Sequence, residues 1–329
     1  MGELHSFKKY LMLKCSFLVY LFGVCYCLFV VVLLTGTNVF HICEKLYGRG
    51  NFKKTTIFAA MVVLEVIVNL AMFTWRSKYN RLDYLVNWTK LGCSAPTYSN
   101  DSDATTDSDS DPNSDADFPT KYCAHCKFRV PLICHHCPLC NYCVFKKDHH
   151  CFFLGGCIGF GNQRHFIVFL FWSMLGSAYA LLLAIRFVTV IYKSKLMFGW
   201  TRYILPVYIL VIIYEHECPK DELLCTLYVT VVMCATFASA WFFFYQWLMV
   251  CRGESTMGFF HLKDLFPDNG NPSVSQRIQQ VFGPYWVLNF LVPLPYRNQL
   301  NQSYARSMEN YYSMLVSRRQ EVPTNLKLH

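Results

Sequence analysis

The chain alternates between long apolar runs and short polar stretches. Cys15 to Phe40 holds 26 residues without a charged side chain. Thr55 to Trp75 holds 21 with one charge, Glu65, and His165 to Tyr192 holds 28 with one, Arg186. Leu223 to Cys251 holds 29 with none. With a helical rise of ~1.5 Å per residue, roughly 20 apolar residues cross the hydrocarbon of a bilayer. The pattern therefore predicts four transmembrane helices, at about 15–37, 55–75, 165–191 and 224–250. A fifth run, Tyr203 to Tyr214, has only 12 residues and is expected at the interface or re-entrant. The first run follows Lys8, Lys9 and Lys14. Its apolar part is too long for a signal peptide and shows no small-residue cleavage site, so it reads as a signal-anchor helix.

Between the second and third runs lies a polar segment in two parts. Ser99 to Asp117 contains seven aspartates and five serines and no large apolar residue. Such a stretch cannot bury enough surface to fold and is expected to be a solvated linker; phosphorylation by an acid-directed kinase is the sharper alternative. The second part, about 119–164, is rich in cysteine and histidine. After the fourth run the chain turns polar again. Val281 to Pro295 is apolar and aromatic, with prolines that suit an interface-lying segment better than a span. The expected organisation is a tail at 1–14, two spans in 15–75, a linker at 76–118, the Cys-rich domain at 119–164, two spans in 165–251 and a C-terminal region at 252–329.

Charge sets the orientation. Most of the 30 Lys and Arg residues fall in the two terminal segments and in 76–164. By the positive-inside rule, both termini and the Cys-rich segment face the cytosol. That compartment is reducing, so clustered cysteines point to metal or catalysis rather than disulfides. The sequons at Asn87, Asn100 and Asn301 then lie on the unglycosylated side. The net charge of +9 suits an anionic membrane surface, and no nucleic-acid motif competes for it. Within the spans, Glu65 and Arg186 are candidates for an ion pair; otherwise Glu65 is protonated in a packed interface and Arg186 reaches for water.

The stretch from Cys123 to Cys157 holds eight cysteines and five histidines in 35 residues. Cys123-x2-Cys126, Cys137-x2-Cys140 and Cys140-x2-Cys143 all have the spacing of a zinc knuckle. The pairs overlap, so spacing predicts bound metal and leaves the pairing open. Two tetrahedral zinc ions consume eight ligands, fewer than the candidates present.

The array HCxxCxxC-x4-DHHC-x5-C, with Asp148-His149-His150-Cys151 at its heart and GFGNQRHF behind it, resembles the DHHC family of protein S-acyltransferases (palmitoyltransferases). The DHHCxxLGxCxGFGN form and the RGxSTM and FGPYW stretches look most like its palmitoyltransferase-24-like branch. The resemblance covers 123 to about 166. It implies an all-α multi-pass membrane protein with a cytosolic zinc-stabilised Cys-rich domain between helices 2 and 3, in an endomembrane such as the ER or Golgi. It implies two interleaved structural zinc sites, Cys123, Cys126, His136 and Cys143 in the first, and Cys137, Cys140, His150 and Cys157 in the second. It further implies that Cys151 attacks the thioester of an acyl-CoA, palmitoyl-CoA above all, with His149 as base and Asp148 orienting it. The acyl group then passes to cytosolic cysteines of membrane-associated or transmembrane proteins.

Cys134 is expected to be a surface thiol or a competing ligand, and His125 and His135 to be surface residues or supports of the metal sites. Lys146, Lys147, Arg129 and Arg164 either meet CoA phosphates or are plain membrane-proximal cations. Four departures from the family pattern stand out. Phe152-Phe153 replaces Pro-Trp, and Gly155-Gly156 replaces Asn-Asn. Ser255-Thr256-Met257-Gly258 replaces Thr-Thr-x-Glu, and Arg277 stands where the family has Asn. These leave room for an alternative, a non-enzymatic zinc-stabilised membrane scaffold or escort protein with weakened activity. A cross-braced ubiquitin ligase is disfavoured by the DHHC run.

Overall fold

A computed structural model describes residues 21–48, 52–81, 120–126, 128–131, 133–191, 199–216, 219–256 and 273–292, with Leu18 and Gly50. The Ser99–Asp117 stretch and the three sequons lie outside the described residues, as does the backbone of 257–272. Four helices are long and apolar enough to cross a membrane: α1 (Leu21–Tyr47), α2 (Lys53–Asn80, its last turn 3-10), α3 (Gln163–Ile191) and α5 (Lys220–Arg252). Between α3 and α5 lies α4 (Leu205–Glu215), too short to span. A further helix, α6 (Val274–Phe282), follows. The Cys-rich segment adds three antiparallel hairpins to this helical frame: β1 (Thr120–Cys123) with β2 (Phe128–Pro131), β3 (His135–Cys137) with β4 (Tyr142–Val144), and β5 (His149–Cys151) with β6 (Gly156–Ile158). Each strand is only three or four residues long, so the architecture remains mostly helical, as expected.

The spans pack through small and polar contacts, as expected where lipid removes the hydrophobic drive between helices. Gly176 of α3 faces Val62 of α2 so closely that a Cβ would come within 2.6 Å of the Val62 Cγ1. Thr55 and Tyr179 share a hydrogen bond of 2.9 Å between the same helices. Asn38 of α1 sits in a π-helical turn, Thr37–Ile42, where its amide donates to the Tyr228 hydroxyl of α5 at 2.5 Å. Glu65 and Arg186 do not pair. Glu65 accepts from the Asn69 amide one turn along its own helix, and the Arg186 guanidinium lies over the Tyr47 ring. Glu65 sits near the middle of α2 whereas Arg186 lies near the end of α3, so the two are at different depths. The buried chain continues from Asn69 to His165 and from His165 to Arg164.

The Cys-rich module is fastened to the end of α2. Asn80, fully buried, donates to the Cys157 carbonyl at 2.9 Å, accepts from the Gly161 N–H at 2.7 Å and offers its own carbonyl to the Phe145 N–H at 2.8 Å. Asn162 donates to the Ser77 hydroxyl and the Cys157 carbonyl and accepts from the Gly159 N–H. Gly161 has to be glycine: a Cβ there would lie 2.6 Å from the Tyr79 Cβ and 2.8 Å from the Arg76 carbonyl.

A second fastening comes from beyond α5. Ser273 and Gln276 form a capping box that starts α6, and α6 buries Ile278, Val281 and Phe282 against the spans. Arg277 donates to the Cys251 carbonyl at 2.7 Å, one of the carbonyls that the end of α5 leaves without a helical partner. The Trp172 indole N–H of α3 donates to the Phe290 carbonyl at 2.6 Å. Val281–Val292 thus docks on α3 and α5 by one side, while Tyr285, Val287, Leu288, Leu291 and Val292 stay exposed. On the far side, the Arg202 guanidinium grips the Glu215 carboxylate at 2.6 and 2.9 Å beside α4. Its partial exposure limits what that pair adds to stability.

Replacing Asn80 by Ala strands the buried Gly161 N–H, at a cost of about 1–3 kcal/mol, and removes one of the two donors to the Cys157 carbonyl. We expect Asn80→Ala to lower the melting temperature of the detergent-solubilised protein and to open the module to protease. An unchanged melting curve would show that the fastening does not depend on this side chain.

Candidate active site and metal centres

The hairpin register explains the interleaving of the Cys and His residues. His136 pairs across its hairpin with Cys143, and His150 pairs across the next with Cys157. Directly opposed residues on antiparallel strands project to the same face. Each of these His/Cys pairs is met by a CxxC turn from the preceding hairpin. Cys123 and Cys126 meet His136 and Cys143; Cys137 and Cys140 meet His150 and Cys157. Within each group the four ligand atoms lie within 4.8 Å of one another.

The two groups fit a tetrahedral ion. With Zn–S near ~2.3 Å and Zn–N near ~2.05 Å, ligand atoms should stand roughly 3.5–3.8 Å apart. Cys126 Sγ lies 3.3 Å from His136 Nδ1 and 3.6 Å from Cys143 Sγ. His150 Nδ1 lies 3.5, 3.4 and 3.6 Å from the sulfurs of Cys137, Cys140 and Cys157. The Cys126 and Cys140 N–H groups point at the sulfurs of Cys123 and Cys137, at 3.5 and 3.4 Å. These two clusters could hold metal ions, and their thiolate and imidazole donors suit zinc.

Strand β5 separates two kinds of chemistry. Side chains alternate faces along a strand. His150 turns toward Cys137, Cys140 and Cys157. His149 and Cys151 take the opposite face, where His149 meets the Cys151 thiol. The His149 ring lies edge to face with Phe166 at 5.7 Å, and Cys151 packs against the apolar core between the spans.

Asp148 is the hub of this face. It is 1% exposed, and its Oδ2 accepts from His149 Nδ1 at 2.7 Å. It also accepts from the Gln246 amide at 2.8 Å, the Thr256 hydroxyl at 2.7 Å and the Thr256 N–H at 2.6 Å. Burial alone would raise its carboxyl pKa, but hydrogen bonds from His149 and Thr256 outweigh that and hold it below the usual range. For His149, burial disfavours the charged ring. The bonds to Asp148 and Cys151 prevail and lift it to about 9.

Neither Gln246 nor the role of Thr256 was anticipated from sequence. Gln246 carried a usable signal, being an amide in an otherwise apolar span. Thr256 was read only as part of a motif lacking its glutamate.

Other expectations need revision. Cys134 is not a surface thiol: it is fully buried just before β3 and outside both four-ligand groups. Burial raises its pKa far above the usual thiol range, against the pull of Lys121. His125 stacks on His136 at 4.6 Å, and His135 meets the Lys121 ammonium at 3.0 Å. Lys147 is buried and donates to the His136 carbonyl, and Arg164 is buried against His165. Both cations are engaged in the fold rather than presented to a phosphate. The side chain of Arg129 lies outside the described residues.

Comparison with known proteins gives this geometry its context. Residues 116–263 match the model of the family described as DHHC palmitoyltransferase. The chain is 47% identical over 55 residues to Palmitoyltransferase ZDHHC15A of Danio rerio, covering 17% of each chain. It is 37% identical over 100 residues to Palmitoyltransferase PFA3 of Kluyveromyces lactis, covering 30% of this chain and 27% of that one. It is 32% identical over 136 residues to Palmitoyltransferase PFA3 of Eremothecium gossypii, covering 41% and 36%. The chain thus spans well under half the length of these relatives. The family match takes in the Cys-rich module and the two spans that follow it.

Proposed function

We propose that the protein is a membrane-embedded protein-cysteine S-acyltransferase that moves a long-chain acyl group, palmitoyl in the first instance, through a thioester on Cys151. The observation that carries this reading is the shared face of His149 and Cys151, with Asp148 bonded to Nδ1 of the imidazole. A closed structural finger has no use for such a constellation. A thiol needs a partner to take its proton, and an imidazole serves best when a carboxylate fixes its tautomer and orientation.

In the first step Cys151 Sγ attacks the carbonyl carbon of an acyl-CoA. Its proton passes to His149 and then to the departing CoA sulfur as the old C–S bond breaks. In the second step a substrate cysteine gives its proton to His149, attacks the Cys151 thioester and carries the acyl group away. Cys151 recovers a proton from His149. Asp148 stays ionised and stabilises the imidazolium in both steps.

Cys123, Cys126, His136 and Cys143 would hold one zinc ion, and Cys137, Cys140, His150 and Cys157 a second. Four protein ligands each leave no open position, so the ions brace the hairpins rather than activate water. The His150 ligand fixes β5, and with it the neighbouring His149 and Cys151.

A cavity of about 190 Å³ opens among α1, α2 and α3 and is almost wholly apolar, with Val30, Phe58, Val62, Phe169 and Leu183 in its wall. It suits an acyl chain threaded from Cys151 into the bundle. Substrates would be membrane-associated or transmembrane proteins whose cysteines face the module on the cytosolic side of an endomembrane. The scaffold alternative draws on the replaced Pro-Trp and the absent glutamate. The intact Asp148–His149–Cys151 face weighs against it, as does Thr256, which makes its contact to Asp148 without that glutamate.

Incubation with labelled palmitoyl-CoA should yield a hydroxylamine-sensitive adduct that is lost in Cys151→Ser, while that variant keeps two zinc ions per chain by metal analysis. Cys140→Ser should lose zinc and unfold the module. A folded, zinc-loaded wild type with no adduct would favour the scaffold reading. Asp148→Asn should slow adduct formation by roughly 100- to 10,000-fold in stopped-time assays, the span expected for disabling an oriented acid–base. Thr256→Ala should slow it less, because Gln246 and His149 still hold the carboxylate. A Thr256→Ala rate as low as that of Asp148→Asn would assign the threonine a more direct part.

A further inference from the structure

Two adjacent rings on the Cys-rich module face outward. Phe152 and Phe153 follow Cys151 directly and are 58% and 59% exposed. The next residue, Leu154, is buried in the core cluster between the spans. Among the described residues of the module, Tyr122 is the other large apolar side chain left this open. Adjacent exposed rings are costly in water and mark a surface that something apolar covers.

The neighbours of the loop show where it lies along the spans. On one side stands α1. A Cβ at Gly23 would come 2.8 Å from the Phe153 carbonyl oxygen and 3.2 Å from that of Phe152. On the other side stands the last stretch of α2. A Cβ at Gly156 would meet the Phe73 ring at 3.9 Å and the Ser77 hydroxyl at 3.8 Å. Both helices carry exposed aromatics at this level. Phe22 and Tyr26, beside Gly23 on α1, stack on each other at 6.2 Å and are open. The uncharged run that carries Gly23 begins eight residues earlier, at Cys15. Trp75, between Phe73 and Ser77, is exposed, with Lys78 and Arg76 over its ring at 4.8 and 5.7 Å. A tryptophan flanked by cations at the end of a span marks the boundary between headgroups and hydrocarbon.

We propose that Phe152 and Phe153 insert into the bilayer leaflet on the module's side, at that boundary, and that lipid is the partner this pair fits. The exposed face of α1 continues onto the loop through the close contact at Gly23, so the lipid that covers the helix covers the rings. Leu154 holds the protein core while its two predecessors hold the membrane. The loop after Cys151 is thereby gripped from both sides. His150 shares in the anchor, since its ring meets the Phe152 ring edge to face at 5.3 Å. The contact needs no acyl group on Cys151 and stands apart from the acyltransferase reading.

The test uses the full chain in phosphatidylcholine vesicles, with the photo-crosslinking residue p-benzoylphenylalanine placed in turn at Phe22, Tyr122, Phe152 and Phe153. Mass spectrometry of the irradiated protein reads the lipid adducts. Phe22, on the span, sets the full yield, and Tyr122, on β1, sets the background. Phe152 and Phe153 should match the yield at Phe22 and far exceed that at Tyr122. Yields at both no higher than at Tyr122, with Phe22 still adducted, overturn the anchor. Adducts to residues 1–20 of the chain or to a second copy of it, in place of lipid, also overturn it. A second measurement avoids the unnatural residue. Hydrogen exchange of the 151–156 backbone in lipid discs should quicken roughly tenfold or more in Phe152→Ser/Phe153→Ser, because two rings leave an apolar setting. Exchange as slow as in the wild type overturns the anchor. If the double variant does not fold, the crosslinks decide.

Discussion

The two-residue period of strand β5 is the constraint on which the site depends. His149, His150 and Cys151 are consecutive, yet they serve two centres. The pleat sends His150 to one side, among Cys137, Cys140 and Cys157, and sends His149 and Cys151 to the other. A one-residue slip of register would exchange the faces and ruin both. What prevents the slip is the ring of cross-strand contacts: His150 opposite Cys157, and the Asp148 N–H bonded to the Ile158 carbonyl at 2.8 Å. Three residues of strand could not hold that register alone. A Cys/His cluster on one face and a buried carboxylate network on the other hold it from both sides.

The module is joined to the membrane part by directional polar side chains as well as by apolar packing, with Leu154 and Ile158 in the core cluster that holds Phe73 and Phe166. Asn80 and Asn162 connect it to the end of α2, and Asp148 connects it to the end of α5 through Gln246 and Thr256. Hydrogen bonds are directional, and buried ones are costly to leave unmade. The arrangement therefore fixes orientation as well as proximity, which an apolar contact of the same size would do less sharply. Arg277 belongs to the same scheme, since it satisfies the end of α5 just beyond Gln246.

Much of this was legible in the chain. The four spans follow from runs whose length and lack of charge leave few alternatives, and the four long helices fall on them, although the first continues to Tyr47, ten residues past its expected end. The ligand grouping that the structure brings together is the one the DHHC resemblance implied, although spacing alone left it open, because overlapping CxxC pairs can be divided in several ways. What escaped was long-range. Gln246 lies 98 residues from Asp148 and Thr256 lies 108, and nothing local in either stretch announces the contact. Glu65 and Arg186 misled for the converse reason. Opposite charges in neighbouring spans suggest a pair, but the depth of each along its helix decides whether they meet. Cys134 departs from expectation because a cysteine in a polar, metal-binding stretch suggests exposure, whereas it lies fully buried.

The Asp148 network also makes the face that carries His149 and Cys151 a mechanical extension of α5. Between that helix and the imidazole stand one carboxylate and contacts of 2.6 to 2.8 Å, with no flexible linker between them. A helix that crosses a bilayer tilts to match the thickness of the hydrocarbon around it. Any such tilt that shifts the Gln246 end of α5 shifts the imidazole with it. The thickness of the surrounding membrane thereby enters the geometry of the site, through a lever one helix long.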